Sequence, residues 1–284
     1  MKIEKNARVA FQGERGAFSE EAGVKLLGEE ISLVPRPTFE AAFSAIRDGV
    51  ADYILAPIEN SLAGSVHRSF DLLVDSELNI LAEVVIPIVH NLIVVPGAKF
   101  EDIVVVESHP VALAQCEKFF SAHPRLKRIA TEDTAGSVRE VVRSGDRSRA
   151  AIAGRRAAEL YGGFILQEHL EDSRENYTRF LLLSESAVVP EDADKLSLVF
   201  QLDHRPGALY HALEPFARRN LNLLKIESRP VHGSPWQYRF YLDLQASRRD
   251  PEVATALREL ERLVVNLRIL GSYVSARQSV GAKS

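Results

Sequence analysis

One cysteine, Cys116, is present in 284 residues. That excludes an internal disulfide framework and leads us to expect a reducing compartment, the cytoplasm. Phe119 and Phe120 follow it within one helical turn, so packing inside a helix is its expected role. No apolar run approaches membrane-span length, and Val9–Phe11 behind the charged start is too short for a signal peptide. No membrane partner is expected. Basic excess is missing too: 35 Lys and Arg stand against 39 Asp and Glu, a net charge of −4. No nucleic-acid partner is expected from that balance. The 8 histidines are scattered, and no Cys/His cluster has metal-ligand spacing. P-loop and dinucleotide fingerprints are also absent. What is present is an ordinary globular composition, 46% hydrophobic, at a length that suits two or three domains.

Strand-like and helical runs alternate from the start. Val9–Phe11 reads as a strand, Gly13–Gly16 as a turn, and Ser19 as the N-cap of a helix over Ala22–Leu27. Thr38 caps a second helix, which Gly49 closes, and Tyr53–Pro57 is a strand running into Glu59-Asn60-Ser61. Further strands are read at Ile80–Ile88, Leu92–Val95, Ile103–Val106, Ile129–Ala130 and Ala150–Ala153. Continuous apolar strands with helices between them predict a two-lobed α/β unit with mainly parallel sheets. One lobe takes residues 1–80 plus 170–186 and the other 81–169. A different rhythm follows over 195–275, a βαββαβ order that predicts an α+β, ferredoxin-like antiparallel sheet with helices on one face. Residues 276–284 read as a frayed polar tail.

Four polar clusters fall at strand-to-helix junctions: Arg15–Ser19, Glu59-Asn60-Ser61, Ser108-His109-Pro110 and Glu132-Asp133-Thr134. Hydroxyls and free backbone N–H groups at the positive end of a helix hold carboxylates or phosphates. Any one cluster alone reads better as ordinary capping; four in one unit favour a cleft for a small anion. Gln115 lies about two helical turns beyond Ser108, so the two can share a face, and it either orients a ligand or is solvated. Glu59 and Glu132 either exchange a proton or are surface acids. Asn176-Tyr177-Thr178-Arg179-Phe180 sets hydroxyl groups beside an apolar strand at the close of the unit. There Arg179 is either a carboxylate partner or an exposed charge at a strand edge. In the last domain Gly207-Ala208-Leu209 opens a helix and Glu227-Ser228-Arg229-Pro230 ends a strand. That pattern is either turn chemistry or room for a ligand to approach the backbone.

Taken together, these segments resemble the prephenate dehydratase family over nearly the whole chain. The carriers are Gly13–Ser19, Pro57–Ser61 with Gly64 and Val66, Ser108-His109-Pro110 with Gln115, Asp133–Gly136 and Asn176–Phe180. The last domain resembles an ACT regulatory domain. The resemblance implies a periplasmic-binding-protein-like catalytic domain over 1–186 and an ACT domain over 195–275. It implies conversion of prephenate to phenylpyruvate in phenylalanine biosynthesis, with no cofactor or metal demanded. By the same resemblance Thr178 acts at the departing hydroxyl with Glu59 behind it, and Asn60, Ser108 and Gln115 orient the substrate. Ser19, Ser61, Arg179 and Phe180 complete the substrate site, with Arg179 on a carboxylate. L-Phenylalanine is implied as effector at Gly207, Ala208, Leu209, Glu227, Ser228, Arg229 and Pro230, within a homodimer or homotetramer formed through ACT domains. Two residues depart from the family pattern: Val111 where glutamine is frequent, and Leu224 where threonine is usual. The chain starts almost at its first strand, so no fused chorismate mutase domain is expected. Arogenate is the alternative substrate, and a non-catalytic small-molecule binding protein the alternative of another class.

Overall fold

In the computed structural model, which describes residues 4–231, 233 and 236–276, the chain divides into two compact units. One gathers residues up to Leu72 with Val84–Leu181, and the other Leu73–Glu83 with the chain from Leu182 onward. The tail expectation falls almost wholly on 277–284, outside the described residues.

The elements run β1 (Arg8–Gln12), α1 (Phe18–Leu27), β2 (Ser32–Arg36), α2 (Phe39–Ser44), β3 (Tyr53–Asn60), β4 (Gly64–Ser65), α3 (His67–Asp75) and β5 (Asn79–Pro87). Then come β6 (Asn91–Val94), β7 (Val105–Ser108), α4 (Pro110–Ala114), α5 (Glu117–Ala122), β8 (Lys127–Ala130) and α6 (Thr134–Ser144). The α/β part closes with β9 (Arg149–Ala153), α7 (Arg155–Tyr161), β10 (Phe164–Gln167) and β11 (Tyr177–Ser184). Last come β12 (Lys195–Leu202), α8 (Ala208–Ala217), β13 (Leu223–Pro230), β14 (Tyr238–Leu244), α9 (Pro251–Glu261) and β15 (Asn266–Tyr273).

Two sheets build the α/β lobes. The first has the order β2-β1-β3-β11-β5, with β4 paired to β3, and the second β10-β6-β9-β7-β8. β1 runs parallel to β2 and β3, and β7 parallel to β8 and β9. The second sheet is mixed, since β6 meets both β9 and β10 antiparallel. Strands covered on both faces must be apolar throughout; β6 and most of β9 are buried at every position. Cys116 is fully buried among Leu92, Val106, Phe120 and Ile152, and burial pushes its thiol pKa up. It packs, as its spacing predicts.

Local signals place several helix ends. Thr38 Oγ1 accepts from Ala41 N–H (3.1 Å), and Asp133 Oδ1 accepts from Gly136 N–H (2.6 Å). Ser19 does not cap α1: the helix begins at Phe18, one turn earlier than the pattern predicts. Gly16 makes the difference. Its φ is +84°, and an added Cβ would lie 2.9 Å from the Ala157 backbone, so only glycine turns the chain tightly enough here. Glu59 and Asn60 also move. They complete β3 instead of opening a helix, and α3 starts only at His67.

From Lys195 to Tyr273 the elements form a βαββαβ domain in the fully antiparallel order β13-β14-β12-β15. Leu196, Phe200 and Leu242 of the sheet pack against Phe216 of α8 and Val253 and Leu260 of α9. Among the described residues no helix is long and apolar enough to cross a membrane.

Candidate active site

A cavity of about 490 Å³ opens inside the first unit. The first lobe lines it with Gln12, Phe18, Ser19 and Asn60, the second with His109, Gln115, Glu132 and Thr134. Ile88, His90 and Thr178 come from the segments where the chain passes between the sheets. No lysine or arginine is among these lining residues. The lobes are tied together beside the cavity by Glu20, which is 1% exposed. Its carboxylate accepts from Gly16 N–H (3.1 Å) and from Arg156 Nε on α7 (2.8 Å). Burial pushes the Glu20 pKa up, but these two hydrogen bonds and the nearby arginines outweigh it and hold the group below its ordinary value.

Alternation along two neighbouring strands selects what reaches the cavity. On β3, Asn60 faces it; on β11, Thr178 does. Their chain neighbours Glu59 and Arg179 are absent from its lining and lie 3.9 Å from each other. Ser61 and Ser108 are spoken for by structure. Ser61 Oγ donates to Glu175 O (2.7 Å) and accepts from Tyr177 N–H (2.9 Å), stapling the turn after β3 to the start of β11. Ser108 ends β7 fully buried, and its Oγ donates to Ile152 O (2.6 Å) on β9. It does not open the following helix; His109 does, with Nδ1 accepting from Val111 N–H (3.2 Å). Phe180 is buried in β11. Ser19 lines the cavity, its hydroxyl 3.4 Å from Gln12 O.

What the fold does bring together is a neutral amide network with a defined direction. Asn60 Oδ1 accepts from the backbone N–H groups of Leu62 (3.1 Å) and Ala63 (2.8 Å). A backbone N–H can only donate, so the Asn60 amide has one permitted orientation. Its Nδ2 then donates to Asn176 Oδ1 (2.8 Å), Tyr177 O (3.1 Å) and Thr178 Oγ1 (2.9 Å). Asn176, with its oxygen engaged, donates through Nδ2 to Gln115 Oε1 (2.9 Å). Gln115 Nε2 therefore points back to Asn60 Oδ1 (3.4 Å). Thr178 Oγ1 ends the network as an acceptor, so its own hydrogen remains to donate into the cavity. Asn60, Gln115 and Thr178 were legible as candidates. Asn176 and His90 were not selected; the signal for them is a polar residue at each junction of two buried strands.

The effector candidates sit in the second unit. Gly207 has φ +78° and opens α8, followed by Ala208 and Leu209. Glu227, Ser228, Arg229 and Pro230 form the end of β13, as their pattern predicts. β13 is the sheet's outer strand, and Leu224 and Ile226 on it are 47% and 46% exposed.

Comparisons with known proteins divide the chain once, between residues 188 and 197. A family model described as prephenate dehydratase matches residues 9–188, and one described as ACT domain matches 197–262. Over 277 residues the chain is 41% identical to a protein of Arabidopsis thaliana named arogenate dehydratase/prephenate dehydratase 2, chloroplastic, covering 94% of this chain and 72% of that relative. A solved structure of prephenate dehydratase in complex with L-Phe from Arthrobacter aurescens matches with a TM-score of 0.87 and 33% identity, over 94% of this chain and 90% of that one. A second, titled GqqA, a novel type of quorum quenching acylases, matches with the same TM-score of 0.87 and 33% identity, over 95% and 98%.

Proposed function

We propose that this chain, which belongs to the prephenate dehydratase family, removes CO2 and the ring hydroxyl of prephenate in its cleft and releases phenylpyruvate. One observation carries the reading: Thr178 Oγ1 faces the cavity with its lone pair held by Asn60 Nδ2 (2.9 Å) and its hydrogen uncommitted. As the C–COO bond breaks, its electron pair enters the ring and the C–OH bond breaks in turn. The departing oxygen needs a proton, since hydroxide leaves poorly. Thr178 is too weak an acid to surrender its own, so it hydrogen-bonds the departing oxygen and relays a proton drawn from water. Aromatisation supplies the driving force.

The rest of the lining fits a doubly carboxylated substrate. Its polar groups are amides, hydroxyls and the imidazoles of His90 and His109, with two acids, Glu132 and Asp133, and no guanidinium or ammonium among the lining residues. A strong ion pair on the departing carboxylate would stabilise the ground state more than the transition state. In this reading Asn60 and Gln115 orient the substrate and Ser19 contributes to its binding. Glu59 and Arg179 act from outside the cavity, Ser61 and Ser108 hold strands, and Phe180 is core.

Regulation belongs to the same proposal. L-Phenylalanine is the effector, and it binds where Gly207 lets α8 start close to a ligand and where Glu227–Pro230 form an outer strand. The exposed apolar side chains of β13 support pairing of ACT domains in a homodimer or homotetramer. A cytoplasmic setting suits the one buried thiol. Arogenate is the competing substrate, since the Arabidopsis relative is named for both dehydratases.

The test mixes purified protein with prephenate and follows phenylpyruvate, with arogenate and phenylalanine formation in a parallel arm. Product from prephenate that Thr178→Ala abolishes is the expected result. Faster turnover of arogenate would reassign the substrate, and equal rates from wild type and Thr178→Ala would remove Thr178 from the mechanism. An N-acylated amide run alongside tests whether acylase activity extends to this chain.

A further inference from the structure

His90 lines the cavity at 2% exposure, and the reaction as described makes no use of it. We propose that His90 is a positioning residue: its imidazole carries the proton on Nε2, donates it to Gln115 Oε1, and so turns an N–H of Gln115, not its carbonyl, toward the substrate. The identity of that substrate rests on the dehydratase reading; the geometry does not.

The assignment follows from the direction of the network. Gln115 Oε1 already accepts from Asn176 Nδ2, whose own orientation is fixed through Asn60 by the Leu62 and Ala63 N–H groups. His90 Nε2 lies 2.9 Å from the same Oε1. An amide oxygen has no hydrogen to give, so Nε2 must hold one. The other ring nitrogen agrees independently. Nδ1 is buried with no hydrogen-bond partner among the described residues. A proton placed there would be an orphaned buried donor, whereas a bare lone pair is the cheaper vacancy. Burial lowers the imidazole pKa, against opposing effects of Gln115 and of the Glu171 charge, and favours the neutral ring.

The ring is anchored well enough to impose its choice. The His90 backbone N–H donates to Glu171 Oε2 (2.8 Å), and its carbonyl accepts from Leu170 N–H (2.8 Å). Phe18 packs edge-to-face on the ring at 5.8 Å. Gln115 is less constrained, since it stands at the C-terminal end of the five-residue helix α4. With Oε1 held by two donors, its second Nε2 hydrogen is left for the cavity. An inverted amide would instead aim a carbonyl at a substrate bearing two carboxylates.

The experiment has two independent arms. Nitrogen-15 NMR of the imidazoles at neutral pH identifies the His90 signal by its loss in His90→Gln; the Nε2–H tautomer is expected, and the Nδ1–H tautomer would overturn the proposal. In kinetics on folded protein, checked by thermal melting, His90→Phe removes the donor at similar volume and should lower kcat/KM by about tenfold or more. His90→Gln replaces the donor near Nε2 and should recover to within about threefold of wild type. Wild-type kcat/KM in His90→Phe, or a His90→Gln as impaired as His90→Phe, would each sink the positioning role. If wild type turned over neither prephenate nor arogenate, the dehydratase reading would fall, while the tautomer signal would still uphold or overturn the assignment of His90.

Discussion

Two buried polar networks in this chain are built on opposite plans. The one in the cleft is neutral and runs through Asn60, Asn176, Gln115, His90 and Thr178. The other, in the second unit, is ionic. There Lys195 Nζ lies 2.9 and 3.1 Å from the Glu83 carboxylate and 3.9 Å from Asp243. Ser197 Oγ donates to Asp243 (2.5 Å) and shares a hydrogen with Tyr273 OH (2.7 Å), while Ala276 N–H reaches Glu83 (2.8 Å). None of the members of the ionic network lines the cavity. The neutral one ends on a hydroxyl hydrogen aimed at open space. A charged residue at that end would repel or over-bind a dianionic substrate; amides fix geometry without adding field. In the network that ends on Thr178, amides hold the geometry; the charges that do line the cleft, Glu132 and Asp133, stand outside that network.

The largest expected effect breaks the open end. Thr178→Ala should cut kcat by roughly a hundredfold to ten-thousandfold with little change in melting temperature, since one buried hydroxyl goes and no partner but Asn60 loses a contact. Thr178→Ser should keep most of the activity; a serine variant as dead as alanine would mean that the methyl group, not the hydroxyl, matters. Breaking the ionic network should show the reverse pattern. Lys195→Met takes the Lys195 ammonium away from the Glu83 carboxylate, whose side chain is 3% exposed. About 3–5 kcal/mol of stability should go with it, read as a lower urea midpoint, and Glu83→Gln added on top should restore part. Loss of kcat in folded Lys195→Met, without loss of stability, would erase the contrast between the two networks.

Asn60→Asp is a finer cut. It keeps shape and the acceptor for Leu62 and Ala63 but removes the donor to Asn176 and Thr178. The carboxylate introduced would claim the Thr178 hydrogen for itself. A loss in kcat of about tenfold to a hundredfold is expected, smaller than for Thr178→Ala, with the melting temperature also lowered. Unchanged kcat would show that the direction of the network is idle.

How far this could be read from sequence depends on range. Thr38 and Asp133 cap helices through bonds three residues long; the residue pattern placed Thr38 as a cap, and Asp133 within a cluster at a helix start. The βαββαβ order of the last domain was equally legible, because each element carries its own periodicity. Asn60 and Thr178 stood out as types in motifs, but which neighbour faces the cavity turns on β3 running to Asn60, and the pattern ended that strand at Pro57. Ser19 misled for a comparable reason, since Gly16 starts the helix early. His90 stands in no motif and Asn176 only opens one without a role, because their meaning lies in partners 25 and 61 residues away. No local rule links those positions; the β5–β6 and β10–β11 connections do.

The smallest effect expected is a pH dependence, and it also separates the two networks. Burial holds His90 below its ordinary pKa of 6.5, so the unfolded chain takes up a proton there before the folded chain does. Stability then rises with pH wherever the unfolded state binds more protons. His90's contribution is complete above about pH 6.5 and is lost as pH falls below that toward the folded value. The groups around the ring are Gln115, the Phe18 edge and Glu171, whose carboxylate is shared with His169 at 2.9 Å. His109 is also lowered by burial and adds a slope of the same sign, so wild type alone does not isolate His90. The informative quantity is a difference. Between about pH 8 and about pH 5.5, melting temperature should fall further for wild type than for His90→Gln, which has no group to protonate at that position. The double variant Lys195→Met, Glu83→Gln should keep the wild-type slope over the same range, since it leaves both histidines in place and no buried carboxylate without its ammonium. Parallel curves for wild type and His90→Gln would mean that the imidazole protonates as easily folded as unfolded, and that the cleft is wetter than its geometry indicates.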